Sequence, residues 1–139
     1  MFDPTPILLP GARILEAELH PLGFEFIFRA AGKGSGGLFA TGDFIRDDRR
    51  LELHFRESLG LVRYHIRTSS AAHEAYMREL GVRYECRYPG FSDDPLVAFH
   101  DLAHDLKFAA DFTTGNAAIL LRAAVSEAQV HPVGRPALP

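Results

Sequence analysis

Apolar side chains alternate with other residues in several short stretches of the first half of the chain. The first stretch runs from Phe24 to Phe28, and three more begin near Leu38, Leu51 and Val62. A period of two is typical of β-strands that bury one face. Because the stretches follow one another with short breaks between them, they predict a four-stranded antiparallel β-meander.

The two central hairpins of this meander can be aligned residue by residue, with turns at Asp47–Asp48 and Ser58–Leu59. The predicted partners are Phe44 with Leu51, Gly42 with Leu53 and Ala40 with Phe55 in the first hairpin, and Phe55 with Val62, Leu53 with Tyr64 and Leu51 with Ile66 in the second. A slip of one residue would turn the apolar side chains toward water. The alignments therefore predict one dry face shared by three strands.

Helical periodicity flanks the predicted sheet on both sides. The predicted helices cover residues 10–20, residues 70–80 with Ser70 as N-cap, residues 95–113 with Asp94 as N-cap, and residues 117–128 with Asn116 as N-cap. Gly81 is placed to end the second helix in a left-handed conformation. Residues 82–88 alternate and form a candidate fifth strand, and the glycine-rich residues 32–37 are expected to form a flexible hairpin loop.

The order of these elements indicates a two-layer α+β protein in which the meander packs against helices from the N- and C-terminal parts. The chain has 139 residues, of which 47% are hydrophobic and 24% are charged, and this composition is that of an ordinary globular domain. We expect residues 1–130 to form one domain. Residues 131–139 hold three prolines and a glycine and are expected to form a loose C-terminal tail.

Cysteine usage and the N-terminal residues bear on the compartment. A lone cysteine, Cys86, excludes an internal disulfide and a zinc site built from cysteines, and it favours a cytoplasmic location. The first residues lack a basic start followed by a long apolar run, so we expect neither a signal peptide nor a membrane partner. The net charge of −3 is too small to indicate nucleic-acid binding.

His100 and His104 are the one pair with the spacing of metal ligands on a helix. Residues four apart lie side by side on one helical face. Zinc needs three or four protein ligands, and His73, Glu74 and Asp111 are candidates whose convergence the sequence does not show. The alternative is a polar strip beside the apolar stripe of the helix. No catalytic residue and no cofactor is predicted.

The face of the meander opposite the dry layer combines positive charge with apolar side chains, as protein interfaces do. The candidate binding residues on it are His54, Arg56, Arg63, His65, Arg67 and Phe39. The alternatives are an ordinary solvated face or a face covered by a helix. RNA-reading sheets need several exposed aromatic rings, and this face offers too few for nucleic acid to be the partner.

A second apolar patch is predicted on the long helix at Phe108 and Phe112. Side chains of the last helix, Ile119, Leu120 and Val125, are expected to cover it within the same domain. Otherwise another protein would have to bind there.

Three segments carry a resemblance: GDFIRDDRRLELHFRESLGLVRYHI, SAAHEAYM and YPGFSDDPLVAFHDLAHDL. They resemble a family of small uncharacterised bacterial α+β proteins in which a helix, a β-meander and further helices follow in that order. The layout is also similar to that of small immunity proteins, which bind and block bacterial toxins. The resemblance implies a fold and a bacterial source, and it brings no catalytic residues with it.

Three hypotheses about function follow. The first is a non-enzymatic protein-binding module, immunity-like in one version, whose partner is another protein or a second copy of the chain. The second is a metal-dependent enzyme built around His100 and His104. The third is a small-ligand binder whose pocket lies between sheet and helices, with Tyr64, Tyr76 and phenylalanines as its walls.

Overall fold

A computed structural model of the chain describes residues 5–34 and 37–130. The predicted tail, residues 131–139, lies outside the described residues. The strands are β1 (Glu25–Gly34), β2 (Gly37–Arg46), β3 (Arg49–Phe55), β4 (Leu59–Ile66) and β5 (Ser69–Ala72). The α-helices are α1 (Thr5–Leu19), α2 (His73–Glu79), α3 (Pro95–Asp105), α4 (Ala110–Thr113) and α5 (Ala118–Val130).

The strands form one antiparallel sheet in the order β1-β2-β3-β4-β5, so each strand pairs with the next one in sequence. Helices precede and follow the sheet, and the predicted α+β class is confirmed. The β2–β3 hairpin has the predicted register, with Phe44 opposite Leu51 and Gly42 opposite Leu53. Alternation excludes a slip of one residue, and the two-residue turn at Asp47–Asp48, which joins the paired residues Arg46 and Arg49, fixes the register among the remaining choices.

The predicted register of the β3–β4 hairpin is wrong by two residues. Tyr64 lies opposite Leu51 rather than Leu53, and Val62 lies opposite Leu53. The chain turns earlier than predicted because Leu59 pairs with Phe55 and is buried, which leaves Gly60 as an unpaired bulge residue. A shift of two residues keeps every side chain on its predicted face.

The fifth strand is not the predicted one. Residues 82–88 contain no strand: the carbonyl of Val82 accepts from the amides of Glu85 and Cys86 in a single turn, and residues 86–88 are irregular. The strand is β5 instead, reached by a tight turn in which Arg67 has a φ of 53°. Ser70 therefore lies in a strand and does not cap α2, whose N-cap is Ala72 with no side-chain hydrogen bond.

Two predicted N-caps are confirmed by their side-chain hydrogen bonds. Asp94 accepts from the amide of Leu96 at 2.9 Å and so caps α3. Asn116 accepts from the amide of Ala118 at 3.1 Å at the start of α5. Gly81 has a φ of 77° just after α2, the left-handed conformation expected there.

The long helix predicted over residues 95–113 is broken. A 3₁₀ turn at Leu106–Phe108 separates α3 from α4. This break turns Phe112 into the main core, where its ring centroid lies 5.6 Å from that of Phe24 and 5.1 Å from that of Tyr64. Phe108 is partly buried against the same core. Phe108 and Phe112 therefore do not form the separate second patch that the sequence predicted, because Phe112 belongs to the core of the sheet.

We call the two sides of the sheet the inner and the outer face. Helices pack on the inner face, where Leu51, Leu53 and Tyr64 are fully buried and Phe55 stacks on Phe99 of α3. The outer face carries the polar side chains that alternate with these residues. Among residues 5–34 and 37–130, no helix is long and apolar enough to cross a bilayer.

Candidate functional site

The outer face brings three of the six candidate binding residues together at one end of β2 and β3. The ring of Phe39 stacks on that of His54, with centroids 6.4 Å apart and planes inclined by 13°. The guanidinium of Arg56 lies over the Phe39 ring, 5.6 Å from its centroid. Leu61 is the strand partner of His54 and is 38% exposed. We call these four residues the Phe39 patch.

The glycine-rich segment explains how the Phe39 patch is held. A Cβ atom on Gly32 would lie 3.3 Å from the Phe39 ring, and one on Gly34 would lie 3.4 Å from the Arg56 guanidinium. Both groups therefore pack directly on the backbone of β1. The predicted flexible loop over residues 32–37 is largely strand, because β1 continues to Gly34 and β2 begins at Gly37. The glycines serve as a packing surface.

Arg56 is the charged centre of the patch. Its Nη1 donates to the carbonyl of Gly37 at 3.1 Å, and its plane covers Phe39. Among the described residues no carboxylate forms an ion pair with it, whereas Arg29, Arg50 and Arg63 each have one. The protein thus holds the guanidinium in one orientation, and no carboxylate among the described residues neutralises its charge.

A groove of about 460 Å³ runs beside the Phe39 patch. Its lining consists of His54, Arg56, Glu57, Ser58, Gly60 and Leu61. The groove is open to solvent and follows the β3–β4 turn, where the bulge at Gly60 leaves room beside the sheet. Its shape and mixed lining suit a protruding side chain of a partner better than an enclosed small molecule.

The other three candidate residues of the outer face lie apart from the patch. Arg63 donates to Ser70 at 2.9 Å and pairs with Glu127 of α5. His65 bonds to Glu52 at 2.7 Å.

Arg67 lies in the turn between β4 and β5, with an exposed side chain 3.7 Å from Asp48. Arg63, His65 and Arg67 all take part in internal contacts, and the structure does not bring them to the Phe39 patch.

A carboxylate lies at the centre of the outer face. Asp43 is buried because two arginines cover it, with Arg29 Nε at 2.6 Å and Arg50 Nη1 at 3.3 Å. Arg50 also lies 3.3 Å from the ring nitrogens of His65. This chain of opposite charges neutralises the middle of the face, whereas the Arg56 guanidinium at one end forms no ion pair with the described residues.

The predicted metal pair does not gain further ligands. His100 is exposed, and His104 Nδ1 bonds to Asp105 at 2.9 Å. The proposed additional ligands have other partners: His73 bonds to Asp105, Glu74 to Arg78, and Asp111 to Tyr76. In the part of the chain that the structure describes, no group of three or more His, Cys, Asp or Glu side chains could hold a metal ion.

A buried polar chain that the sequence did not reveal joins the sheet to the helices. The hydroxyl of Tyr64 on β4 lies 2.8 Å from His73 Nδ1, and His73 Nε2 lies 2.9 Å from Asp105 Oδ2 at the end of α3. The carboxylate only accepts, so Nε2 donates to it, and in the neutral imidazole Nδ1 then accepts from the hydroxyl. The three residues are at most 2% exposed.

Asp105 also fixes a loop. Its carboxylate accepts from the backbone amides of Arg87 at 2.7 Å and Tyr88 at 2.8 Å. The Tyr88 hydroxyl in turn donates to the carbonyl of Leu59 at 2.5 Å, which anchors the loop to the start of β4. One carboxylate thereby connects α2, α3 and the segment between them.

The ionisation of these groups follows from their surroundings. Burial would by itself raise the pKa of Asp105, but hydrogen bonds from His73, His104 and the two amides outweigh it and hold the pKa below its usual value. Burial raises the pKa of Tyr64 well above its usual value and that of Tyr88 to about 12. Both hydroxyls therefore remain donors at every ordinary pH.

The chain from Tyr64 to Asp105 has the order of an acid–base relay, yet solvent does not reach it. General acid–base chemistry needs the reacting group of a substrate within hydrogen-bond reach. The sequence carries one weak signal for this chain: Asp105 follows Leu102 by one helical turn at the border of the apolar stripe, where a charged residue that becomes buried requires a partner. The sequence did not show which partner it would be.

The residues predicted to line a small-ligand pocket pack against one another. Tyr64 and Tyr76 contact one another edge to face, with centroids 4.9 Å apart. The Tyr76 hydroxyl donates to Asp111 at 2.9 Å, and Asp111 accepts from the amides of Ile119 and Leu120 at the start of α5. The side chains proposed as pocket walls therefore form the packed core.

The chain matches no known family model, no curated protein and no solved structure. The resemblance to a bacterial α+β family and to immunity proteins stays a prediction.

We predict that Tyr64→Phe lowers the free energy of unfolding by about 1–3 kcal/mol, because it leaves the buried Nδ1 of His73 without a donor. Urea denaturation at neutral pH measures this loss. Tyr84→Phe is the matched control, since Tyr84 is 87% exposed and its hydroxyl forms no hydrogen bond with the described residues. An equal loss in the two variants would contradict the role of the buried chain.

The depressed pKa of Asp105 predicts a pH dependence of stability. Its contribution is complete above the pKa of the unfolded chain, near 3.8, and is lost as the pH falls through the lower pKa of the folded state. The stability difference between the wild-type protein and Asp105→Asn should therefore be constant near neutral pH and shrink below about pH 4. Denaturant titrations between pH 2 and 7 measure it. The exposed Asp93→Asn should show no such change, and a pH-independent difference for Asp105→Asn would refute the assignment.

Proposed function

We propose that this protein is a non-enzymatic protein-binding module that uses the outer face of its sheet, with the Phe39 patch as the centre of contact. The observation that carries this proposal is the pre-oriented guanidinium of Arg56. It lies over an aromatic ring, next to an exposed leucine, and has no carboxylate partner among the described residues. Arginine and aromatic residues with neighbouring apolar side chains are the usual composition of binding hot spots.

Pre-orientation matters for the energetics of such a contact. A free arginine side chain would lose rotamer freedom on binding, which opposes association. In this protein the Gly37 carbonyl, the Phe39 ring and the bare backbone of Gly34 already hold the guanidinium. One of its five N–H groups bonds to the Gly37 carbonyl, and two of the remaining four can bind a carboxylate in a bidentate manner.

The chemistry of the partner follows from these features. It should present an Asp or Glu side chain beside an apolar side chain, with the carboxylate on Arg56 and the apolar group against Leu61 and Phe39. His54 stacks on Phe39 at the same site and adds a further polar edge. The groove beside the β3–β4 turn would receive the protruding part of the partner.

An immunity-like role, in which the partner is a toxin that is blocked by binding, is one version of this function. Toxins that act on nucleic acids carry basic active sites, whereas the Phe39 patch is itself positive. The proposal therefore concerns an acidic surface of the partner rather than a basic catalytic cleft. The middle of the outer face, where Asp43 and Glu52 lie, is neutralised internally and contributes mainly area.

We expect Arg56→Glu to weaken partner binding about 30-fold or more, since it replaces an attraction by a repulsion at the centre of the interface. The wild-type protein and its variants are used to capture binding proteins from a lysate of the source organism. A protein retained by the wild-type chain is identified, purified and titrated by calorimetry at two salt concentrations. Binding should weaken at the higher salt concentration.

Arg67→Glu is the matched control, because it makes the same change of charge at an exposed arginine in the β4–β5 turn. It should bind like the wild-type protein. The proposal fails if no protein is retained specifically, or if Arg56→Glu and Arg67→Glu bind the purified partner equally well. Urea denaturation of both variants verifies that each remains folded.

A further inference from the structure

The two edges of the sheet differ in how they are protected. At the β5 edge, the backbone amide of Ala72 donates to Glu127 of α5 at 3.0 Å, and α5 packs along the strand. At the β1 edge, no strand lies beyond β1, and no loop among the described residues bonds to its outward backbone groups. β1 is ten residues long, so it offers a row of unpaired donors and acceptors.

Apolar side chains are exposed along this open edge. Ile27 on the outer face is 40% exposed and Phe28 on the inner face is 41% exposed. Native proteins usually shorten or cover such an edge, because an exposed apolar strand pairs readily with another one. A second strand placed beside β1 would satisfy its backbone and bury both side chains.

The sequence of β1 is complementary to itself. In the segment Glu25-Phe26-Ile27-Phe28-Arg29, phenylalanines flank a central isoleucine, and opposite charges stand at the two ends. Antiparallel pairing of two copies about Ile27 would place Ile27 opposite Ile27 and each Phe26 opposite a Phe28. Each Glu25 would then face an Arg29 of the other copy, and opposite charges directly across a strand pair are stabilising.

The charged ends are available for this contact. Glu25 is exposed and forms no ion pair among the described residues. Arg29 binds Asp43 through Nε alone, and its side chain is 47% exposed, so its two terminal nitrogens can bind a further carboxylate. The regular part of the strand ends here, because the pairing with β2 shifts between Phe28 and Ala30.

Other registers are less favourable. A shift that centres the pair on Phe28 would place Ile27 against Arg29 and leave Glu25 without a charged partner. A shift that centres it on Arg29 would set two arginines directly opposite one another, which is destabilising. Among the registers that keep the inner faces of both copies on the same side, only the pairing about Ile27 matches apolar with apolar and acid with base.

We propose that this protein forms a two-fold symmetric dimer in which the β1 strands of two copies pair antiparallel about Ile27 to give a continuous ten-stranded sheet. The contact is isologous and uses the open edge of each copy. Because α5 covers the opposite edge, the assembly closes at two chains instead of extending into a fibre. The dimer contact is separate from the Phe39 patch, so either proposal can fail without the other.

A charge-exchange experiment with the full chain tests the proposal. Glu25→Arg and Arg29→Glu each place like charges opposite one another across the dimer, and each should raise the dissociation constant on the order of tenfold. An equimolar mixture of the two variants should restore association, since each acidic end then meets a basic end. Sedimentation velocity over a range of concentrations measures all four samples.

Arg29→Glu also places a second carboxylate near Asp43, so a register-specific variant is included that does not disturb that site. In Ile27→Cys the two new thiols would lie opposite each other at the symmetry axis, within disulfide distance. Mild oxidation in a Cys86→Ser background should give a covalent dimer. Ile45→Cys, on the same face but one strand inward, should give none.

The results separate the possibilities. A wild-type protein of dimeric mass, weaker association of the single variants and recovery in their mixture support the proposal. A monomeric wild-type protein at all concentrations would overturn it and would mean that Arg29 and the adjacent bulge protect the edge from pairing. A dimer that is unaffected by Glu25→Arg and gives no Ile27→Cys disulfide would also overturn it.

Discussion

The separation of a dry face from a polar face in the meander is the constraint on which the rest of the structure depends. Since side chains alternate along every strand, burial of Leu51, Leu53 and Tyr64 under the helices places Arg50, Glu52 and His65 on the other side. The inner face binds the helices and provides stability. The outer face carries the charged and polar side chains, and the proposed binding surface lies there.

Burial of polar groups on the inner side gives the helical layer a defined position. Apolar contacts alone tolerate small shifts of a helix along a sheet, whereas a hydrogen bond between buried groups requires one geometry. Tyr64, His73 and Asp105 connect β4, α2 and α3 in this way, and Tyr76 with Asp111 joins α2 to α4. No buried side-chain nitrogen or oxygen among the described residues lacks a partner, so these networks are complete.

Local patterns predicted the parts of the structure that local physics decides. The faces of the strands, the β2–β3 register and the caps at Asp94 and Asn116 depend on neighbours in sequence. The shifted β3–β4 register depends on Leu59 entering the core, and the break at Leu106–Phe108 accompanies the packing of Phe112 against Phe24. Such contacts join residues far apart in sequence, and one sequence does not reveal them. For the same reason, the sequence assigned six residues to the outer face but did not separate the Phe39 patch from the rest.

Thiol reactivity at adjacent positions of β3 tests the two-faced sheet most directly. In a Cys86→Ser background, Leu53→Cys places a thiol on the inner face and His54→Cys places one on the outer face. The outer thiol should react with a chromogenic disulfide reagent at nearly the rate of an exposed cysteine, and the inner one on the order of a thousandfold more slowly, because it reacts only when the core opens. Equal rates at the two positions would contradict the account.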